Sequence, residues 1–243
     1  MIKNMKKTST STRNNLTEIV KKTAVESRTA LKEHVVHGTV PLYIKEALPE
    51  EVDIFAVIAA IEERLPHHVF SNVEMILIGY FKEFEERSIN AFYEDGAIYV
   101  TNRQDDNEDL IDDIVHETAH AFEKGNEVEI YGDRKIEHEF LSKRAILYRV
   151  LEDQDMIPDY MTEEDFLYTE YTEDFDAYLH DEVGYDALNI LASELFVSAY
   201  SITSIKEYFA EGFEEYFIRG DRYLKLISPQ LYTKLINTIE GNK

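Results

Sequence analysis

Residues 108–124, EDLIDDIVHETAHAFEK, constrain the fold of this chain more than any other stretch. Leu110, Ile114, Val115, Ala119 and Phe122 recur at helical spacing and give the segment apolar sides to bury, so it is expected as a helix anchored in a core. Within it His116 and His120 are four residues apart, about 40° round the axis, with Cβ atoms roughly 5–6 Å apart. Two imidazoles placed in this way can reach one ion at about 2.0–2.1 Å. Glu117 lies about 100° round from His116, off the ligand row but close enough to address a water at the metal. The HExxH pattern therefore reads as part of a zinc site with a general base beside it. The polar run NRQDDNED leads into the helix, and Gly125 is placed to end it.

The remaining ligand has to come from His, Asp or Glu, because none of the 243 residues is cysteine, which also excludes disulfides. Two histidines fall short of the three protein ligands that a catalytic zinc needs. No third histidine follows at the short metzincin spacing HExxHxxGxxH, and His138 and His180 are isolated. In SIKEYFAEGFEEYF (204–217), Glu207 and Glu211 are i and i+4 on one expected helix and can face one site, while Tyr208, Phe209, Phe213 and Phe217 supply its buried sides. Glu214 and Glu215 read as a solvated face. The pattern alone leaves Glu207 and Glu211 open as ligands.

Elsewhere, Asn15 is placed to cap a helix running to about Val36, interrupted by Gly38 and Pro41. A second helix is expected from near Pro49 to the stop at Pro66, making the N-terminal part a helical platform. His34 and His37 on the first helix, and His67 and His68 beside Pro66, lack an acidic partner at ligand spacing and read as ordinary histidines. VEMILIGYF (73–81) reads as a strand and NAFYEDGAIYVT (90–101) as a hairpin turning around Glu94-Asp95-Gly96. An exposed strand edge beside the HExxH helix would align an extended peptide. Helical spacing resumes over 136–150, short helices and turns are expected over the acidic, Tyr-rich 152–186, and further helices over 186–198, 204–217 and after Pro229.

HETAH, followed well downstream by Tyr200 and EYFAEGF (207–213), resembles the peptidase domain of the anthrax toxin lethal factor family, a gluzincin-type family to which the Pro-Pro endopeptidases are related. The resemblance covers roughly residues 73–240. It implies a zincin-like α+β fold, predominantly helical, with a small mixed sheet carrying the hairpin at one edge and the two ligand helices beneath it. It implies a zinc endopeptidase holding one Zn2+ per chain through His116, His120 and Glu207. Glu117 would be the general base, Tyr200 the group facing the oxyanion, and Glu211 an acceptor that steadies a ligand. The domain reading is a basic polar tail over 1–15, an N-terminal helical segment over 16–66 and the lethal factor-like zinc peptidase domain over 67–243.

Charge bears on partners. Residues 1–32 hold eight Lys or Arg against two acidic residues, net +6, so a total of −24 leaves −30 on residues 33–243. A surface of that sign repels phosphates and anionic membranes, so neither nucleic acid nor membrane is an expected partner of the main body. A protein or peptide bound in extended form is the expected substrate, and docking of the basic tail onto a larger assembly is a further expectation. Without an apolar stretch after the basic start, no signal peptide is read and a cytoplasmic location is expected, incorporation in a virus particle being the other route. Phage-encoded relatives of the lethal factor family motivate the alternative function. In it, the chain is a structural or interaction protein of a large assembly such as a phage virion, its peptidase domain a scaffold or active only during assembly or entry.

Overall fold

The computed structural model describes residues 32–241 apart from Ser88. The basic tail, its docking role, and most of the helix expected from Asn15 lie outside the described residues. Within them the chain is α+β, helix exceeding strand by a wide margin, with a small mixed five-stranded sheet. The described residues divide into two compact units, 32–63 with 70–118, and 64–69 with 119–241.

The first unit carries the sheet. Strands β1 (Lys32–Val36) and β2 (Val40–Ile44) form an antiparallel hairpin in which Val36 pairs with Val40. This corrects the helix expected through Val36 and the helical platform built on it. His37 (φ 51) and Gly38 (φ 67) both take the left-handed conformation, so HGT is a turn and not a helix end. Burial in β2 alternates as a half-buried strand requires. β3 (Met75–Gly79) pairs parallel with β2 and with β5 (Ala97–Thr101), and β4 (Ala91–Glu94) pairs antiparallel with β5. The order β1-β2-β3-β5-β4 puts the 90–101 hairpin at one edge, as expected. Its turn is Asp95-Gly96, both at positive φ, the pair that a two-residue hairpin favours.

Helix α1 (Ile54–Arg64) begins later than Pro49 suggested, because the Asp53 carboxylate accepts from the amides of Phe55 and Ala56 and caps it there. His34 meets Phe55 edge-on at 5.1 Å and His37 tilts against Phe70 at 5.5 Å, so both are packing residues. A short α2 (Lys82–Arg87) precedes the 90–101 hairpin.

Helix α3 (Asn107–Tyr131) carries HETAH and is continuous across the division between the units. It breaks just past Gly125, where its end was expected, and a further helical run follows. Asn126 leaves helical geometry (φ −124, ψ 18), its Nδ2 donates to the Phe122 carbonyl at 2.8 Å, and the chain kinks and goes on to Tyr131.

The second unit is helical. α4 (Lys135–Asp153) leads to α5 (Glu163–Phe166) and α6 (Glu173–Ala177), a π-helical turn over Tyr178–Val183, and α7 (Tyr185–Leu191). The helix expected over 186–198 ends at Leu191. A 3-10 turn over Tyr200–Ile202 precedes α8 (Ile205–Glu214), which passes into a π-helical turn over Glu215–Arg219. α9 (Asp221–Ile227), not anticipated, and α10 (Pro229–Gly241) close the chain. Helices α4, α8 and α10 meet around Phe140, Tyr208, Phe213 and Leu231, all 0% exposed. A buried polar link ties them together. Lys143 Nζ donates to Tyr208 Oη and Ser228 Oγ, each at 2.6 Å, and Tyr208 donates to Glu139. The Glu139 carboxylate also accepts from the first free amides of α10, at Gln230 and Leu231. Among the described residues no helix is long and apolar enough to cross a membrane.

Candidate metal centre

Two helices build the site. On α3, Ile114, Val115, Ala119 and Phe122 are fully buried, which leaves His116 and His120 together on a partly open face. The later half of α3 is held to α8 by Phe122 against Phe213, ring centroids 5.9 Å apart. On α8, Ser204 is the N-cap and its side chain accepts from the amide of Glu207 at 3.1 Å. That fixes the first turn and sends the Glu207 carboxylate to His120, whose Nε2 lies 3.4 Å from Glu207 Oε2.

The ligand atoms of His116, His120 and Glu207 all lie within 4.8 Å of one another. Two ligand atoms on one tetrahedral ion at about 2.05 Å stand ~3.3 Å apart, so the His120–Glu207 spacing already suits a shared zinc. Two imidazoles and a carboxylate are also the donor set of a catalytic zinc with a position left open. The residues fit the ion.

The sequence reading missed what lies behind His120. Its Nδ1 faces Glu123 Oε2 at 3.4 Å, and Glu123 Oε1 accepts from the Tyr131 hydroxyl at 2.7 Å. Glu123 is 4% exposed. The available signal was its place three residues after His120, on the same side of the helix.

Glu117 is 7% exposed. One turn earlier, burial pushes the Asp113 carboxyl up to about 7, with Asp109 and Glu117 adding to the rise, against the hydrogen bond from Gln104 and the pull of His116. The Gln104 amide donates to it at 2.8 Å.

Glu211 and Glu214 offer oxygens within 4.8 Å of a ring nitrogen of His116, so Glu211 sits beside a histidine of the set. Glu214 and Glu215 are not a solvated face; both are 7% exposed. Each is paired with Arg219, at 2.9 and 3.6 Å, through the π-helical turn that follows α8. Burial raises the Glu215 carboxyl, and Arg219 opposes the rise. A cavity of ≈ 310 Å³ opens next to Glu211 and Glu215, walled by Leu188, Ala192, Phe196 and Val197.

Tyr200 has its phenol pushed far up by burial and then by the Glu207 charge, with Tyr171, Asp176 and Tyr185 contributing. The hydroxyls of Tyr171 and Tyr185 both donate to Asp176, at 2.8 and 2.6 Å. Tyr171, Tyr185 and Tyr200 cluster electrostatically with Glu207. His138 and His180 are exposed and join no metal-holding group among the described residues, His180 facing Asp181 at 2.7 Å. The chain matches no protein-family model, no curated protein and no solved structure.

Proposed function

We propose that this chain is a zinc-dependent endopeptidase of the lethal factor-like kind, with a zincin-like fold and with His116, His120 and Glu207 as the metal ligands. The supporting observation is the 3.4 Å approach of His120 Nε2 to Glu207 Oε2, made by two segments 87 positions apart, while the ring's other nitrogen faces a carboxylate. A bound zinc supplies Lewis acidity, polarising a peptide carbonyl and acidifying a water.

The chain's own groups do the rest. Glu117, on α3 one position past His116, accepts the proton of the attacking water and delivers it to the departing amine. Tyr200 remains a neutral phenol over the working pH range, because burial and Glu207 oppose its ionisation. It therefore stays a hydrogen-bond donor for the carbonyl oxygen as that oxygen gains charge. Glu211 steadies His116, and the cavity beside it, walled by polar as well as apolar side chains, receives a substrate side chain. The substrate is a protein or peptide segment taken in extended form.

The test is elemental analysis of the purified protein and of Glu117→Gln, with a peptide-library cleavage assay on both. Zinc near one per chain in both, with cleavage by the unaltered protein alone, is the expected result. Zinc without cleavage of any peptide would instead support the structural role in a large assembly. Absence of zinc would sink both the cofactor and the reaction.

A further inference from the structure

We propose that Tyr131 and Glu123 form a relay that orients the His120 ring for the metal, Tyr131 acting as a positioning residue through Glu123. The inference rests on the zinc reading of the site.

The ring of His120 lies between two carboxylates. Nε2 faces Glu207 Oε2 and Nδ1 faces Glu123 Oε2, each at 3.4 Å. A neutral imidazole carries a single N–H, and a carboxylate at Nδ1 draws that proton to its side. The lone pair is then left on Nε2, the atom beside Glu207, where an ion would sit. Glu123 could turn about its own torsions unless something held its far oxygen. The Tyr131 hydroxyl does so at 2.7 Å on Oε1, leaving Oε2 for the ring.

Tyr131 reaches that oxygen because of the break in α3. In an unbroken helix a residue eight positions on stands about 12 Å along the axis and about 80° round it. The departure at Asn126, bridged by its own amide to the Phe122 carbonyl, re-aims the last turn. The kink thus has a use beyond chain direction: it places a phenol on the carboxylate that holds a ligand.

Zinc affinity measured by competition with a chromophoric chelator tests this. The panel is the unaltered chain, Glu123→Gln, Glu123→Ala, Tyr131→Phe and the Glu123→Ala/Tyr131→Phe double variant. Glu123→Ala should weaken zinc by about 10–100-fold, the loss usual for the hydrogen-bond partner of a ligand histidine. Glu123→Gln keeps an acceptor oxygen without the charge and should recover part of that. Tyr131→Phe should cost several-fold, and should cost nothing further once Glu123 is Ala, because a relay has no effect beyond its missing link.

Thermal midpoints of the zinc-free proteins separate positioning from mere packing. Lower midpoints with unchanged zinc affinity would overturn the proposal, as would fully additive losses in the double variant. The isosteric Gln and Phe variants carry the test if the Ala variants fail to fold. Should the unaltered chain bind no zinc, the metal reading and the relay fall together. Should it bind zinc and the variants bind equally well, the relay alone falls.

Discussion

Replacing Asp113 by Asn should stabilise the zinc-free protein at pH 8 and leave it nearly unchanged at pH 4. The Asp113 carboxyl is raised from an ordinary 3.8 to about 7, chiefly by burial, with Asp109 and Glu117 adding negative charge nearby. Its folded-state pKa therefore exceeds its unfolded one. Below about 4 the group is protonated in the folded state and no penalty applies. Between the two values the unfolded chain has released a proton that the folded chain keeps, so stability falls as pH rises, and the loss is complete above about 7. At 1.36 kcal/mol per pKa unit the full rise corresponds to about 4 kcal/mol. Water reaching the half-buried carboxyl screens part of this, leaving about 2 kcal/mol. Asparagine imitates the protonated form and retains an oxygen for the Gln104 amide, which donates at 2.8 Å.

The assay is urea unfolding followed by far-ultraviolet circular dichroism, with a metal chelator present, at intervals from pH 4 to pH 8. The gain of variant over parent should grow from near zero to about 2 kcal/mol across that range. A gain independent of pH, or a loss at pH 8, would refute the claim that burial penalises this carboxylate. Added zinc supplies a second arm. A divalent charge held at His116 favours ionised Asp113, so the advantage of Asn should shrink when zinc is bound.

The same reasoning applies to Lys143, whose ammonium is lowered by burial from 10.5 to about 8, with Glu139 opposing the shift. From pH 8 to 10.5 the unfolded chain holds the extra proton, so this residue makes stability rise with pH by up to about 3 kcal/mol. Lys143→Met should remove that rise, and a parent-minus-variant difference that stays flat over the window would contradict it. Gly212→Ala should destabilise by about 1–3 kcal/mol, read as a lower urea midpoint. The added Cβ would press into Leu231 Cδ2 and lie 3.3 Å from Leu224 Cδ1, both residues being 0% exposed. An unchanged midpoint would mean that α8 does not approach α9 and α10 this closely.

What was legible in the sequence is what local pattern determines. The HETAH helix announces itself because its apolar residues recur at the period of a helix, and the 90–101 hairpin because Asp-Gly takes the two positive φ angles that its turn needs. The β1–β2 hairpin was missed because EHVVHGTVPLYI carries no decisive period. β2 is a strand through its pairing with β3, some thirty residues away in sequence, and propensity does not register such a partner. Gly125 marks the break it was expected to mark, but the helical run beyond it was not legible: the Asn126 side chain meets the Phe122 carbonyl, and Ile130 is fully buried beyond it. Glu214 and Glu215 read as solvated because Arg219 stands four and five positions on, across a π-helical turn whose register a 3.6-residue wheel does not describe.

Glu207 is the residue on which the proposed metal reading leans most. Ser204-Ile205-Lys206-Glu207 is an S-x-x-E capping sequence, and in a complete capping box the glutamate would turn back to the Ser204 amide. The serine's half is made. The carboxylate lies 3.4 Å from a histidine that has a second carboxylate, from Glu123, on its far side. The side chains of Glu207 and Glu123 are 15% and 6% exposed, so both have given up much of their hydration. A divalent ion at Nε2, as proposed, would interact favourably with both carboxylates. On the proposed reading it would add positive charge beside Glu207 and strengthen the Nδ1–H bond to Glu123.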